Sequence, residues 1–228
     1  MPLYSLKISH QLKHISHLLF TVCMLLSWPA TSANEVVDQT ESIANKKQDV
    51  QDTIHLTMHT SAGDISIELY AKQAPVTTAN FIRYVMAGGF NHGEIYRVVR
   101  EDNDNGAPKI TVIQGGANPD FNDFPPIALE TTKDTGILHK DGTISMARGE
   151  PNTATSAFFI CVGDQPALDF GNFRNPDGQG FGAFGRVIQG MGIVRNISAM
   201  RDTKEVEDSY MQGQILREPV KINNITQP

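Results

Sequence analysis

Apolar and polar residues alternate along much of this chain, which is the pattern of half-buried β-strands. The clearest example is "TIHLTMHTSAGDISIELY", where two alternating runs flank the short turn "SAGD" and predict a β-hairpin over residues 54–70. Gly, Asn, Asp and Pro separate the remaining strands. These are predicted near residues 94–99, 110–114, 142–147, 157–162, 181–188 and 218–225.

Two segments have helical rather than alternating periodicity. Pro75 opens "PVTTANFIRYVMAGG", and the glycines that follow predict where this helix ends. Its apolar positions at helical spacing are Val76, Ala79, Ile82, Val85 and Met86. "MGIVRNISAM" at 191–200 predicts a second helix. Together the elements predict a mainly β fold, a closed eight-stranded antiparallel β-barrel capped by two α-helices, although periodicity alone also allows a β-sandwich.

The first 33 residues have the composition of a cleavable signal peptide. Lys7 and Lys13 precede an apolar stretch at 18–28, and "PATSA" ends in the small residues that a signal peptidase accepts. This apolar core is too short for a stable membrane anchor, which needs roughly 20 residues. We therefore expect cleavage after Ala33. Residues 34–52 are polar and predict a linker, which leaves residues 53–228 as one domain.

Removal of the leader changes the charge and the cysteine count of the chain. Of 19 basic residues, Lys7 and Lys13 are lost, so 17 remain against 25 acidic ones, a formal net charge of −8. This charge disfavours binding to nucleic acid or to an anionic membrane through a basic patch. Cys161 is the one cysteine that remains, so an internal disulfide is excluded and the fold must depend on its hydrophobic core.

The segment "EDNDNG" at 101–106 resembles the start of a calcium-binding loop. However, the twelfth position of such a loop is Val112, where a bidentate glutamate is required. We therefore expect no metal site here, and interpret the segment as a solvated hairpin tip.

Cys161 and His139 are the one candidate pair of nucleophile and base. Cys161 lies in "AFFICV", an apolar run typical of a buried strand, where burial keeps a thiol protonated and inert. Since no serine occupies an elbow motif either, an unrelated barrel hydrolase has no recognisable nucleophile. Core packing is the preferred interpretation of Cys161.

Four further motifs occur in a fixed order after the hairpin and "APVTTANF". They are "YRVV" with Arg97, "QGG" beginning at Gln114, "SMARGEPNTATSAFFICVG" at 145–163 and "ALDFGNFRNPDGQGFGAFGRVIQGM" at 167–191. In this order they resemble the cyclophilins, the cyclosporin-binding family of peptidyl-prolyl cis-trans isomerases. The resemblance extends over about residues 54–225.

This resemblance implies specific roles for ten residues. The catalytic residues would be Arg97 and Gln114. The substrate-binding residues would be Thr111, Val112, Ala147, Arg148, Ala157, Phe159, Leu168 and Phe181. An arginine suits the chemistry because twisting an X-Pro bond restores a lone pair on the proline nitrogen, to which a fixed guanidinium can donate. The resemblance implies no metal and no cofactor.

The chain departs from the family pattern at several of these positions. The connection before "QGG" is longer than usual, and Thr111 and Val112 stand where the family carries phenylalanine and methionine. The pocket should be shallower or be completed by the inserted loop. Ala157 replaces a glutamine, which removes one substrate hydrogen bond. Ala167 replaces the tryptophan that contacts cyclosporin, so we expect weak cyclosporin binding.

The sequence thus predicts a bacterial exported isomerase that accelerates X-Pro rotation while exported proteins fold. Its partners would be proline-containing unfolded or flexible polypeptides, with no nucleic acid and, after cleavage, no membrane. We expect a monomer in the periplasm, with secretion as the alternative. A proline-segment binding module or chaperone with little turnover remains the alternative function.

Overall fold

A computed structural model describes residues 52–228. The predicted signal peptide and all but the last residue of the predicted linker lie outside the described residues. Eight β-strands and three α-helices follow one another along the described chain, with a 3-10 turn at Pro166–Leu168 between β6 and β7. They are β1 Ile54–Thr60, β2 Gly63–Leu69, α1 Pro75–Met86, β3 Gly93–Val99, β4 Val112–Gly116, α2 Thr132–Thr135, β5 Thr143–Met146, β6 Phe158–Cys161, β7 Gly182–Gln189, α3 Met191–Ser198 and β8 Ile215–Thr226.

The strands close into one barrel in the order β1-β2-β7-β5-β6-β4-β3-β8, and every neighbouring pair is antiparallel. The predicted closed eight-stranded barrel is therefore confirmed, and the sandwich is excluded. The four-residue helix α2 was not predicted. None of the helices within residues 52–228 combines the length and the apolar character needed to cross a membrane.

The hairpin of β1 and β2 shows how the alternating pattern becomes a barrel wall. Met58 pairs with Ile65 across the hairpin, and both side chains are fully buried. Thr60 pairs with Gly63, and its hydroxyl donates to the Gly63 carbonyl at 2.6 Å, which closes the two-residue turn. The polar residues between the buried ones face outwards, as period-two alternation requires.

Helix α1 begins at Pro75 as predicted, and Ile82 and Val85 of its apolar positions pack against the core, but other residues form the most buried part of the helix. Val76 and Met86 are exposed, whereas Phe81 and Tyr84 are fully buried. The aromatic rings decide the orientation because they bury more apolar area than the aliphatic stripe does. Asn80 can face inwards as well, since its Nδ2 donates to the Thr155 carbonyl at 2.7 Å.

Phe81 connects α1 to the barrel core. Its ring lies 4.7 Å from that of Phe90, 5.3 Å from that of Phe184 and 5.8 Å from that of Phe158, measured between centroids. Phe184 and Phe158 point inwards from β7 and β6. This aromatic cluster fills the barrel interior, so the functional cleft has to lie elsewhere.

Candidate active site

A cleft of about 610 Å³ lies on the outer side of β3, β4 and β6. Its floor is a second hydrophobic cluster, separate from the barrel core, that includes Val112, Phe159 and Leu168. The apolar run of β6 serves both clusters, because Phe158 points into the core and Phe159 points into the cleft. A strand that is apolar on both faces therefore separates the core from the site.

The cleft brings together eight of the ten residues that the sequence analysis proposed. The lining includes Arg97, Val112, Gln114, Ala147, Arg148, Phe159, Leu168 and Phe181. They come from the strands β3, β4 and β6, from the 3-10 turn at Pro166–Leu168, from the segment after β5 and from the segment before β7. Chain segments far apart in sequence therefore meet at one surface.

Thr111 and Ala157 do not line this cleft. Thr111 directly precedes β4, and it does not belong to the lining although its neighbours Ile110 and Val112 do. The Thr111 carbonyl accepts from the N–H of Val162 at 3.0 Å, which adds one backbone hydrogen bond beyond the paired ends of β4 and β6. Ala157 lines a different cavity of about 270 Å³.

Arg97 faces the cleft because the register of β3 changes just before it. The pairing of β3 with β4 and its pairing with β8 both shift in register between Ile95 and Arg97. Ile95 and Val98 consequently enter the barrel core, whereas Arg97 and Val99 line the cleft. Regular alternation would have placed Arg97 on the same face as Ile95, but the irregularity inverts the phase of the strand after Ile95.

Two glutamine side chains hold the guanidinium of Arg97. Its Nε and Nη2 donate to Oε1 of Gln214 at 2.9 and 2.6 Å, and its Nη1 donates to Oε1 of Gln114 at 3.0 Å. Gln214 is fully buried, and its own Nε2 donates to the Asn103 carbonyl at 2.8 Å. These bonds use three of the five N–H groups of an arginine, so its other donors can serve a ligand.

Gln114 is oriented by a tyrosine on its far side. Its Nε2 donates to the hydroxyl of Tyr96 at 2.9 Å, which fixes Oε1 towards Arg97. Burial raises the pKa of Tyr96, so the phenol stays protonated at neutral pH. A short hydrogen-bonded chain therefore runs from Tyr96 through Gln114 to the guanidinium.

The loop at 100–111 joins the paired strands β3 and β4 and forms a wall of the cleft. Its interpretation as a solvated hairpin tip holds for the exposed Glu101 and Asp102 but was wrong for Asp104. The Asp104 side chain is completely buried. Its two oxygens accept from Nη1 and Nη2 of Arg174, each at 2.8 Å. They also accept from the backbone N–H groups of Gly106 and Ile110, each at 2.9 Å. A buried carboxylate needs such partners, and they tie this loop to the one that carries Arg174.

These contacts set the charge state of Asp104. Burial alone would raise the pKa of its carboxyl group, but the hydrogen bonds from Arg174, Gly106 and Ile110 outweigh burial, and the net pKa lies below its ordinary value. Asp104 is therefore ionised at neutral pH. The loop adds Asn105, Gly106, Ala107 and Ile110 to the lining of the cleft.

Arg100, at the start of this loop, is held at the end of α3 and is not a solvated charge. Its side chain is only 11% exposed. Nη1 donates to the carbonyl of Met200 at 3.0 Å and to that of Ser198 at 3.4 Å, at the end of α3. A cation at the carboxyl end of a helix satisfies its last carbonyl groups. Arg100 thus anchors the start of the loop beside the site.

A hydrogen-bonded serine, histidine and aspartate lie behind the cleft. Nδ1 of His139 is 2.7 Å from Oδ1 of Asp169, and Nε2 is 3.0 Å from Oγ of Ser145. Ser145 is completely buried, so no substrate can reach its hydroxyl. The imidazole stacks on Phe159, with centroids 5.8 Å apart and planes at 18°. The hydrogen-bonded side chains of Ser145, His139 and Asp169 therefore support Phe159 in the wall of the cleft.

Cys161 lies in a buried strand, as predicted. It is completely buried, and burial raises the pKa of its thiol well above the ordinary value. Within residues 52–228 no group of three His, Cys, Asp or Glu side chains is placed to hold a metal ion.

Arg148 and Phe181 form the opposite wall. Nη1 and Nη2 of Arg148 donate to the two oxygens of Asp177 at 2.7 and 2.9 Å, and Nε donates to the Gly180 carbonyl at 2.8 Å. Hydrogen bonds from Arg148 lower the pKa of Asp177. The guanidinium carbon lies 5.4 Å from the Phe181 ring centroid, and Phe181 meets Phe159 edge-on at 5.3 Å. The Arg148 side chain thus stabilises the aromatic wall around Phe181.

Four residues that shape the site were not predicted from the sequence. They are Asp104, Arg174, Tyr210 and Gln214. All four lie in or beside loops, where no periodic pattern places a side chain. The one available signal was the length of the connection before "QGG", which indicated an added wall without indicating its partners.

The charge on Asp104 should stabilise the fold in a pH-dependent way. Asp104→Asn leaves the Arg174 cation buried without its counterion, so urea unfolding at pH 7 should give a free energy lower by about 3 kcal/mol. Because the pKa of Asp104 is lowered by folding, its contribution is complete above its ordinary pKa of about 3.9 and is lost as the pH falls through the lowered value. The difference between the variant and the wild type should therefore shrink below about pH 4.

Asp202→Asn is the matched control for this measurement. Asp202 pairs with Arg217 on the surface, where the two side chains are 73% and 57% exposed. Its replacement should change the free energy of unfolding by less than about 1 kcal/mol. A difference for Asp104→Asn that stays constant from pH 7 to pH 3 would contradict the assigned ionisation.

The chain matches the family described as "Cyclophilin type peptidyl-prolyl cis-trans isomerase/CLD" over residues 55–227. Peptidyl-prolyl cis-trans isomerase A of Dickeya dadantii is 36% identical over 151 residues, which are 64% of this chain and 72% of that protein. Peptidyl-prolyl cis-trans isomerase B of Escherichia coli is 33% identical over 181 residues, which are 75% of this chain and 98% of that protein.

Solved structures show the same fold. A cyclophilin type peptidyl-prolyl cis-trans isomerase of Cryptosporidium parvum has a TM-score of 0.58 and 19% identity, over 77% of this chain and 98% of that one. Another structure of the parasite protein, with a TM-score of 0.57, was obtained in the presence of the dipeptide Ala-Pro. The family match spans the barrel and every segment that lines the cleft, and the chain therefore belongs to the cyclophilin-type peptidyl-prolyl cis-trans isomerases.

Proposed function

We propose that this chain is a peptidyl-prolyl cis-trans isomerase in which Arg97 stabilises the twisted X-Pro bond. The observation that carries the proposal is the guanidinium of Arg97, held by Gln114 and Gln214 at the edge of an apolar pocket. Membership of the isomerase family supports it. The relatives in D. dadantii and E. coli carry the name of this activity.

The barrier to rotation suggests what such a site has to supply. Amide resonance gives the C–N bond partial double-bond character and a barrier of roughly 18–20 kcal/mol. Resonance is lost in the twisted state, and the proline nitrogen becomes a better hydrogen-bond acceptor. A donor that is already fixed in place favours this state over the planar ones, and it does so without reorganising during the reaction.

The pocket beside Arg97 suits a proline ring. Val112, Phe159 and Leu168 are each less than 5% exposed and present apolar surface to the cleft. Ile110 adds a fourth apolar residue from the inserted loop. Walls that exclude water strengthen the field of the guanidinium at the bound peptide. Rotation then needs no covalent step, and the residues above hold the ring and donate to the twisted bond.

Arg97→Ala should reduce kcat/KM in a protease-coupled proline-peptide assay about 100-fold, because it removes the donor to the twisted bond. Arg97→Lys should recover little of this, since an ammonium cannot make the paired contacts with both glutamines. Arg217→Ala, which removes an exposed arginine of β8, is the matched control and should keep the wild-type rate.

Equal rates for the wild type and Arg97→Ala would exclude this catalytic role. Retained binding of a proline peptide together with equal, low rates would favour the alternative, a proline-segment binding module or chaperone with little turnover. A barrel hydrolase is disfavoured because Ser145, the serine that contacts a histidine base, is buried.

We further propose that the protein is exported and acts on exported proteins while they fold. The basic and apolar pattern of residues 1–33 supports this proposal. The isolated protein should begin near Asn34 by mass spectrometry and fractionate with the periplasm or the medium. Full-length protein found in the cytosol would contradict the proposal. A variant with Leu25→Arg and Leu26→Arg, which interrupts the apolar core, should abolish processing.

Weak cyclosporin binding also belongs to this proposal. Ala167, at the position of the family's tryptophan, is partly buried beside Leu168 and offers little contact area. Ala167→Trp should therefore increase inhibition by cyclosporin, about tenfold or more, since a tryptophan contributes a large apolar surface. Tight inhibition of the wild type in the same assay would contradict this expectation.

A further inference from the structure

A third wall of the cleft comes from the segment between α3 and β8, which the resemblance did not assign to the site. Tyr210 is its contribution to the lining. The residue is 43% exposed, so part of its ring is free towards solvent and the cleft. It is an aromatic side chain at a site where Thr111, just before β4, and Val112, at its start, replace the aromatic and thioether side chains of the family pattern.

The ring of Tyr210 lies close to two guanidinium groups. The guanidinium carbon of Arg97 is 5.3 Å from the ring centroid, and that of Arg174 is 5.7 Å from it. Nη2 of Arg174 also donates to the Tyr210 hydroxyl at 2.7 Å. A guanidinium within about 6 Å of an aromatic centroid is attracted by the ring quadrupole. The ring therefore contributes to the placement of Arg97 in addition to the two glutamines.

The position of Tyr210 is fixed from three directions. Arg174, which holds its hydroxyl, is itself held by Asp104 and by the carbonyl of Pro108 at 2.7 Å. Nδ2 of Asn105 donates to the Tyr210 carbonyl at 3.3 Å. The Tyr210 N–H donates to Oδ1 of Asp208 at 2.8 Å. The exposed ring is thus anchored at its hydroxyl and at its backbone.

Gly106 allows the Arg174 guanidinium to pack directly on the loop backbone. A Cβ atom at this position would lie 2.6 Å from Nη1 of Arg174. Asp104, Gly106, Arg174 and Tyr210 therefore form one built unit that spans the 100–111 loop, the segment before β7 and the segment before β8. We call it the Tyr210 wall.

We infer that Tyr210 is a specificity-determining residue that contacts the peptide beside the proline and positions Arg97. The inference rests on the proposed isomerase function. The bound segment would be a proline peptide with an apolar or aromatic side chain next to the proline, which packs against the open part of the ring. The ring supplies from the α3–β8 segment the aromatic surface that β4 lacks.

The test measures kcat and KM for proline peptides with alanine or phenylalanine before the proline. Tyr210→Ala should lower kcat/KM about tenfold, with the larger loss for the phenylalanine peptide, because both the cation contact and the packing surface are removed. Tyr210→Phe keeps the ring and should stay within about twofold of the wild type. Phe170→Ala is the matched control, since Phe170 is 40% exposed, contacts the cation of Lys133 at 5.1 Å and does not line the cleft.

Two results would overturn the inference. One is a Tyr210→Ala variant whose kcat/KM stays within twofold of the wild type for both peptides. The other is a Tyr210→Phe variant that loses as much as Tyr210→Ala, which would assign the effect to the hydroxyl bond with Arg174 and hence to loop structure. Urea unfolding of all variants checks that the fold is intact.

A binding measurement separates this inference from the isomerase proposal. The anisotropy of a fluorescein-labelled proline peptide reports binding without turnover. If Arg97→Ala retained the wild-type rate while Tyr210→Ala alone weakened peptide binding about tenfold, the catalytic proposal would fail and the peptide contact of Tyr210 would stand. If Arg97→Ala lost activity and Tyr210→Ala matched the wild type in rate and binding, the inference alone would fail.

Discussion

The change of register in β3 between Ile95 and Arg97 is the constraint on which the site depends. It allows one short strand to place Ile95 and Val98 in the core and Arg97 on the outer surface. Pro219 lies in the part of β8 that has no ladder partner in β3, between Val220 opposite Ile95 and Ile215 opposite Arg97. The missing N–H of proline therefore costs no ladder bond there. Without this irregularity a permanent cation would point towards an aromatic core.

A second constraint is the buried pair of Asp104 and Arg174. Such pairs contribute little net stability, because the removal of two charges from water costs about as much as their attraction returns. Such a pair restricts the backbone conformation instead, because each buried charge requires its partner at hydrogen-bonding distance. Here the pair fixes the 100–111 loop against the segment before β7, and through the Tyr210 hydroxyl it also fixes the segment before β8. A long polar insertion thereby becomes an ordered wall.

The guanidinium of Arg97 is fixed in position, yet it keeps N–H groups that can donate to a ligand. The two glutamines fix its plane through bonds to Nε, Nη1 and Nη2, and the Tyr210 ring lies beside it. A donor that is already oriented loses little conformational entropy when a peptide binds, and it needs no reorganisation as the bond twists. Phe159 is restrained in a similar way by the stack with His139, which Asp169 and Ser145 orient. Buried polar side chains therefore position both the polar and the apolar part of the site.

The sequence by itself determined the strands, the hairpin, the position of α1 and the motifs that contain Arg97, Gln114 and Phe159, because alternation, turn residues and motif order are local properties of the chain. Only the tertiary structure decided which face of α1 is buried, which way Arg97 points and that Asp104 is a buried anion. Gln214 shows why: it lies 117 residues from Arg97 in sequence, and only barrel closure between β3 and β8 brings the two side chains together. A periodic pattern indicates which residues of each strand face the core. The register shift in β3 and the contact of two loops through Arg174 depend instead on residues far away in the sequence, so no short stretch of the chain predicts them.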